Sequence, residues 1–498
     1  MRTFDIFDTL IARRCIDPAL VFEIVERKVG RPGFARARRQ AEKVVSERDY
    51  TLDDIYAELA RSGFCSQEEA KALSEAEIDT ELAQVIPIRE NMDQVRDGDM
   101  LITDMYLPLR VIKALLAKAG FKRKVGILLS SHGKRNGKVW RDRTLLPDTS
   151  LHMGDNWRSD IANARAAGFR AMHTTLSAPT QAERALMGHG YVQLARLVRE
   201  ARLTLCGTQG DAATGGQTSR DRIRLLQVQY NLPMLVIISH YIAGEVIAKG
   251  YRNVLFSSRD CLFLKDVYEA LAGDTCRARS HYFYTSRVSR LNASEDYLAY
   301  FRSIACDRSL VVDLCGTGWS LHQLYRHAGI APDTFMFHFL GNRLATRLRY
   351  RAIARSQGTL AVGSLINGLS SLWIDQSLLE MANYNGMGMT LDVRKGARAQ
   401  DGSDTMYPVF EDPDFPEAAQ ADIEVICQSV QHFVDLLRGS DREALRAEMG
   451  AHAKQRRSIL FLLYRALVRE AQALTGLIAY HGEQDARTVE RLRQVGAA

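Results

Sequence analysis

The chain opens with "MRTFDIFDTL", residues 1–10. Residues 3–7 read as a short buried strand whose carboxyl end carries Asp5, with Asp8, Thr9 and Leu10 just beyond. Two carboxylates and a hydroxyl at a strand end are a chemical statement if the strand belongs to an open parallel sheet. Such sheets bind ligands in the crevice outside the carboxyl ends of their strands. The fold therefore turns on whether parallel strands follow.

They do, after an interruption. Residues 17–95 read as helix: "ALVFEIVERKV" has apolar residues at helical spacing, and "YTLDDIYAELARSGF" has Thr51 as its cap and stops near Gly63. Strands return as "MLIT" (100–103), "VGILLSS" (125–131), "SLHMG" (150–154) and "FRAMHT" (169–174). Helical stretches separate them, which predicts a parallel sheet with helices on both faces. The first third is thus expected to be an α/β core formed by 1–16 and 96–178, with 17–95 as a helical insertion. Residues 179–221 read as a helix and a flexible linker, because "GTQGDAATGGQTS" (207–219) is rich in Gly, Thr and Gln. A second α/β domain is expected over 222–390, with candidate strands "NVLFSS", "SHYFYT", "SLVVDL" and "FMFHFL". A polar loop, "RKGARAQDGSD", then leads into a helical extension over 391–498.

Composition narrows the function class. Hydrophobic content of 46% and charged content of 25% fit a globular protein, and 66 basic against 59 acidic residues argue against a nucleic-acid binder. The basic run "RPGFARARRQAEK" (31–43) reads as a solvated helix face. The eight cysteines contain no CxxC pair, so reduced thiols and a cytoplasmic location are expected. Acidic residues in the N-terminal stretch argue against a secretory signal. The most apolar stretch, "LPMLVIISHYIAGEVIA", is interrupted by His240 and Glu245, so no membrane span is expected.

The polar residues at strand ends form a constellation. Asp5 ends the first strand and Thr103 the second; Lys134 follows the third; Asp155 and Asp160 follow the fourth. Three converging carboxylates would repel one another, and a divalent cation together with Lys134 would balance them. Mg²⁺ fits, since it takes carboxylates, water and a substrate phosphate.

"FDIFDTL", "LITD", "SSHGKRNGKVW" and "HMGDNWRSD" resemble the four ordered motifs of the haloacid dehalogenase-like superfamily, over residues 1–175. The helical insertion resembles the cap that many members carry between their first two motifs. The later sequence is similar to a long two-module branch of hydrolases associated with surface-polysaccharide biosynthesis. The resemblance implies that Asp5 is a nucleophile forming an aspartyl-phosphate. It implies that Asp5, the Phe7 carbonyl and Asp155 hold Mg²⁺, and that Thr103 binds the phosphoryl oxygens. Lys134, preferred to Lys138, would neutralise developing charge, and Asp160 would orient Lys134 or a water molecule. The substrate would be a small phosphorylated metabolite.

The family's phosphatases carry a second aspartate two residues after the nucleophile, where this chain has Phe7. That acid protonates the leaving group, a role typically worth about 10²–10⁴-fold. Three readings follow: Asp8 takes the acid/base role, the substrate has a good leaving group, or the domain is a phosphate-binding or transfer module that does not hydrolyse; the rival to all three is a degenerate non-catalytic scaffold coupled to the second module.

In the second module, "LVVDLCGTGWSLHQLYRHAG" and "NVLFSSRDCLFLKDVYEAL" both read as strand, turn, helix. Arg259, Asp260, Asp313, Gly316, Thr317, Gly318 and Ser320 in the two turns are candidate ligand-binding residues, with an anion favoured at a helix start. The pair of turns resembles the two loops of phosphoribosyltransferases, except that Leu314 stands where that family has a second acid. "HYFYTSRVSR" reads as a buried strand with a solvated end, or as an anion-recognition segment.

Overall fold

The structure, a computed structural model, describes residues 2–142, 151–205, 218–340, 362–366, 375–398 and 404–494. It is an α/β protein with two parallel five-stranded sheets. Each sheet belongs to its own compact unit: Met1–Gln181 with Arg199–Ala213, and Ala182–Val198 with Thr214–Ala498.

The first unit starts with β1 (Arg2–Phe4), shorter than the expected 3–7 because the backbone turns at once. The Leu10 and Ile11 amides both donate to the Ile6 carbonyl, at 2.8 and 3.0 Å, which curls the chain beyond Asp5. β2 (Ile11–Arg13) then pairs antiparallel with β3 (Val85–Pro87). The chain thus leaves the sheet and returns to it through a two-stranded stem that periodicity did not reveal, since three-residue strands leave no pattern.

Between the stem strands lie helices Leu20–Val29, Phe34–Val45, Leu52–Arg61 and Gln67–Gln84. Thr51 and Ser66 start the last two with reciprocal capping boxes to Asp54 and Glu69. Such caps are each worth about 0.5–2 kcal/mol. The insertion shares one apolar core with the sheet: Val21, Ile55 and Leu59 from the helices pack in the same cluster as Phe4, Leu101 and Leu115.

The sheet continues with β4 (Met100–Asp104), β5 (Gly126–Ser130), β6 (Leu151–Gly154) and β7 (Arg170–His173). The spatial order is β5-β4-β1-β6-β7, all parallel. The chain builds outward from β1 on one side, then returns to build on the other. The reversal leaves a crevice between the carboxyl ends of β1 and β6, the location where doubly wound sheets bind ligands.

The second unit repeats the principle. Its strands are β8 (Asn253–Ser257), β9 (Arg279–Phe283), β10 (Ser309–Gly316), β11 (Asp333–Phe339) and β12 (Val362–Ile366). Their order, β12-β11-β10-β8-β9, places the reversal between β8 and β10. β13 (Thr390–Arg398) and β14 (Asp404–Phe410) form an antiparallel hairpin. This corrects the polar loop expected at 394–404: its first residues are strand, and 399–403 lie outside the described residues. The expected linker likewise falls mostly outside them. The helical stretch Ser219–Lys249 is long and apolar enough to cross a membrane, but 67% of its most apolar window is buried within the protein.

The basic run 31–43 is not simply a solvated face. Arg38 is fully buried, and its guanidinium grips Glu77, also fully buried, through bonds of 2.7 and 2.9 Å. Tyr56 and Tyr106 donate their hydroxyls to the same carboxylate, at 2.7 and 3.2 Å. Tyr106 follows β4, so this network ties the helical insertion to the sheet. Glu77→Ala would leave the buried Arg38 guanidinium with Glu42 (2.8 Å) as its remaining carboxylate partner and two tyrosine hydroxyls without that acceptor, and should cost about 3–5 kcal/mol. Amide exchange in helices Phe34–Val45 and Gln67–Gln84 should accelerate accordingly; unchanged exchange would show that the pair contributes no net stability.

Candidate functional site

Asp5 leaves β1 with its amide bonded to the Met153 carbonyl (2.9 Å), which fixes it beside the end of β6. Its carboxylate, that of Asp155 and that of Asp160 each place an oxygen within 4.8 Å of the others. Gly154 permits this approach: a Cβ there would lie 2.5 Å from the Asp160 side chain. Asn156, rather than Asp155, caps the following helix by accepting the Arg158 and Ser159 amides, so the Asp155 carboxylate is left to the cluster.

Lys134 is 4% exposed and bridges two of the acids. It donates to Asp5 Oδ1, and to Asp160 Oδ1 at 2.7 Å. Lys138 is exposed and starts a separate short helix. Asp160 is saturated, because its second oxygen accepts the Asn156 amide at 3.0 Å. Asp5 and Asp155 are not. Thr9 donates to Asp5 Oδ2 at 3.3 Å and reaches Asp155 Oδ1 at 3.5 Å, both long for a hydroxyl.

The electrostatics follow from this division. Burial, opposed by Lys134 and reinforced by Asp160 and Asp155, pushes the Asp5 carboxyl well above its ordinary value. Burial and the charges of Asp8 and Asp160 push Asp155 up to about 6. Although burial opposes it, the neighbouring His152 ring and the charge of Lys134 hold Asp160 down at about 2. Two carboxylates thus carry more negative charge than their surroundings compensate, whereas the third is fully compensated.

Thr103 is buried at the end of β4, the strand beside β1. Phe7 is half-buried, with its ring under the Arg13 guanidinium at 4.9 Å, in the packing at the base of the stem. Asp8 sits in the left-handed region, with φ 57°. Its carboxylate lies 3.7 Å from Arg199 and close enough to Asp155 to raise that group.

Sequence reading missed three residues. Asp104, the last letter of "LITD", accepts the Lys134 and Arg135 amides, each at 3.0 Å, and the Ser130 hydroxyl. It pins the loop that carries Lys134. His152 stacks edge-on to Trp140 at 4.6 Å, bonds Thr3 at 2.9 Å and lies 3.5 Å from Asp160 Oδ1. Arg199, 1% exposed, comes from helix Val192–Leu205, beyond the expected core limit at 178. It donates to the Arg13 carbonyl at 3.0 Å and to the Ser177 carbonyl. Only Asp104 had a local signal, its place beside Thr103; the other two act through contacts with no sequence pattern.

In the second unit Arg259 is committed to Gln484 Oε1 (2.6 Å) and the Tyr384 hydroxyl (2.9 Å). Arg290 is buried, which corrects the solvated end expected for "HYFYTSRVSR". It holds Asp313 at 3.3 Å and Ser320 at 3.4 Å. Gly316 and Gly318 form the turn after β10, and Gly318, with φ 75°, precedes helix Trp319–Ala328. Thr317 accepts the Trp319 amide at 3.4 Å.

A scan against protein-family models and a search of curated proteins return no match to this chain.

The Asp104 anchor is directly testable. Asp104→Ala leaves two amides and a hydroxyl unpaired, so exchange of the 131–136 amides should accelerate by about tenfold or more. Exchange in β8 should not change. Equal protection in the variant would show that the loop holds itself.

Proposed function

We propose that the first unit catalyses Mg²⁺-dependent phosphoryl transfer from a small phosphorylated metabolite, through an aspartyl-phosphate on Asp5. The carrying observation is the buried Asp5–Asp155–Asp160 group with Lys134 between two of its members. The donor set fits a hard divalent cation: the under-compensated carboxylates are Asp5 and Asp155, and both are oxygen ligands. Asp5, Asp155 and the Phe7 carbonyl would hold the ion. When bound, it would polarise the phosphoryl group and offset repulsion between carboxylate and phosphate.

The chain's own residues supply the rest. An Asp5 carboxylate oxygen forms the bond to phosphorus as the bond from phosphorus to the leaving oxygen breaks. Lys134 neutralises charge that builds on the phosphoryl oxygens, and Thr103 donates to them. Asp160 and Asp104 position Lys134, one at its ammonium and one at its backbone. The departing oxygen needs a proton, and Phe7 cannot give one. Asp8 is the acid we assign, because burial raises its carboxyl despite the opposing charges of Arg13 and Arg199. The Asp8 carboxylate then takes a proton from water as the water oxygen bonds to phosphorus and the bond from phosphorus to the Asp5 oxygen breaks, regenerating Asp5 and releasing phosphate.

The displaced acid favours a second reading, a phosphate-binding scaffold without turnover. Beryllofluoride separates the two, since its Mg²⁺-dependent adduct needs a competent aspartyl nucleophile. Wild type should form that adduct, observed by ¹⁹F NMR, and Asp5→Asn should not. An adduct that survives in Asp5→Asn removes Asp5 from the role; no adduct in wild type favours the scaffold.

Asp8 has its own test. Asp8→Asn should lower turnover of an alkyl phosphate by about 10²–10⁴-fold. Turnover of p-nitrophenyl phosphate, whose leaving group needs no proton, should fall much less. Equal losses on both substrates would exclude Asp8 as the proton donor.

A further inference from the structure

The strand pairing that fixes Asp5 also packs a histidine against the acid that holds Lys134. We infer that His152 is a positioning residue of this site: its Nδ1 accepts from Thr3, its Nε2–H faces Asp160, and through Asp160 it keeps Lys134 aimed at the crevice. The part this plays in catalysis rests on the reaction proposed at Asp5; the assignment of the proton to Nε2 does not.

The sheet supplies the placement. β1 and β6 are parallel neighbours, with Thr3 opposite His152 and Phe4 opposite Met153. Thr3 stands two residues before Asp5, and His152 two residues before Gly154, whose missing Cβ admits the Asp160 side chain. Successive side chains alternate between the faces of a strand, so His152 and Gly154 share one. Thr3 and His152 are both fully buried, and Thr3 Oγ1 lies 2.9 Å from His152 Nδ1. Trp140, also fully buried, meets the imidazole edge-on at 4.6 Å. Its indole donates to the Ser159 carbonyl at 2.9 Å, so the wall against the ring is itself tied to the residue before Asp160.

One atom decides the tautomer. His152 Nε2 is buried and has no hydrogen-bond partner, and it faces Asp160, whose Oδ1 is 3.5 Å away. Burial, reinforced by the charge of Lys134, holds the ring below its ordinary proton affinity although Asp160 opposes it. A neutral imidazole carries one N–H, whereas a hydroxyl can donate or accept. With the proton on Nδ1, the Nε2 lone pair would point at a buried carboxylate. With the proton on Nε2, Thr3 donates to Nδ1 and the N–H points at Asp160. Only the second arrangement satisfies both ends of the ring.

The consequence lies in how Asp160 is shared. Its Oδ1 accepts Lys134 Nζ at 2.7 Å, and its Oδ2 accepts the Asn156 amide at 3.0 Å. Lys134 also serves Asp5. When the lysine turns charge toward phosphoryl oxygens, Asp160 Oδ1 loses part of its compensation in a site where an unpaired carboxylate oxygen is costly. The His152 N–H is the donor already directed at that oxygen, and by holding Asp160 in place it holds the lysine that Asp160 anchors.

The test starts with the full wild-type chain at neutral pH. Long-range ¹⁵N correlations of the imidazole, assigned by the signal lost in His152→Gln, should show Nε2 protonated and Nδ1 bare. A proton on Nδ1 overturns the inference. Two variants then separate positioning from packing, since both remove the ring. The amide of His152→Gln can place its N–H near the Nε2 position and reach Asp160; that of His152→Asn stops near Nδ1 and reaches only Thr3. Exchange of the Lys134 ammonium protons with water should accelerate by about tenfold in His152→Asn and stay within about threefold of wild type in His152→Gln. The kcat for p-nitrophenyl phosphate should fall in the same order. Equal effects in the two variants would make His152 a packing residue and overturn the inference; should either variant fail to fold, the wild-type tautomer decides. A wild type that forms no beryllofluoride adduct would remove the reaction proposed at Asp5, while the tautomer and the ammonium exchange would still decide the positioning.

Discussion

A lysine ammonium buried between two carboxylates governs the first unit. Lys134 holds Asp5 and Asp160 together, yet one positive charge cannot compensate three neighbouring acids. Asp160 takes the larger share of the compensation, having Lys134, His152 and the Asn156 amide around it. Asp5 and Asp155 are left short of positive charge at the point where the sheet opens. The imbalance is specific to these two residues, and it is the feature on which the proposed binding of a cation and a phosphoryl group rests.

The same constraint, that a buried charge must be paired, explains much of the remaining architecture. Arg38 with Glu77 joins two of the inserted helices, and Arg13 with Glu81 joins the stem to one of them. Arg290 with Asp313 braces the end of β10. Removing one member of such a pair leaves an uncompensated charge, so each pair resists single substitutions more strongly than its net contribution to stability suggests. Buried pairs also have directional requirements that apolar contacts lack. Here they occur where one element must be held in a fixed orientation to another.

Those pairs mark the limit of what the sequence reveals. The strand–helix alternation was legible because buried parallel strands leave apolar runs, and Thr51 announced its helix by its spacing to Asp54. Asp5, Lys134, Asp155 and Asp160 were legible as strand-end residues, and the structure gathers them. Arg38 and Arg290 were not, because a buried arginine and a solvated one look alike until the partner is known. Glu77 lies 39 positions from Arg38. Arg199 was hidden further, in a helix past the expected core limit. β2 and β3 were too short to show periodicity, and the β13–β14 hairpin consists of polar residues that read as loop.

Phe7 need not count against the activity proposed for the first unit. Its ring lies under Arg13, whose guanidinium is bound to Glu81 at the stem. A carboxylate at position 7 would lie about 5 Å from that fixed positive charge, and the attraction would hold its proton affinity down. A general acid needs the opposite, a carboxyl that retains its proton near the working pH. Asp8 meets that need better, since burial outweighs the pull of Arg13 and Arg199 on its carboxyl. Under the proposed function, the charge pair at Arg13 and a need for a protonated acid would conflict at position 7, and an acid at position 8 would satisfy both.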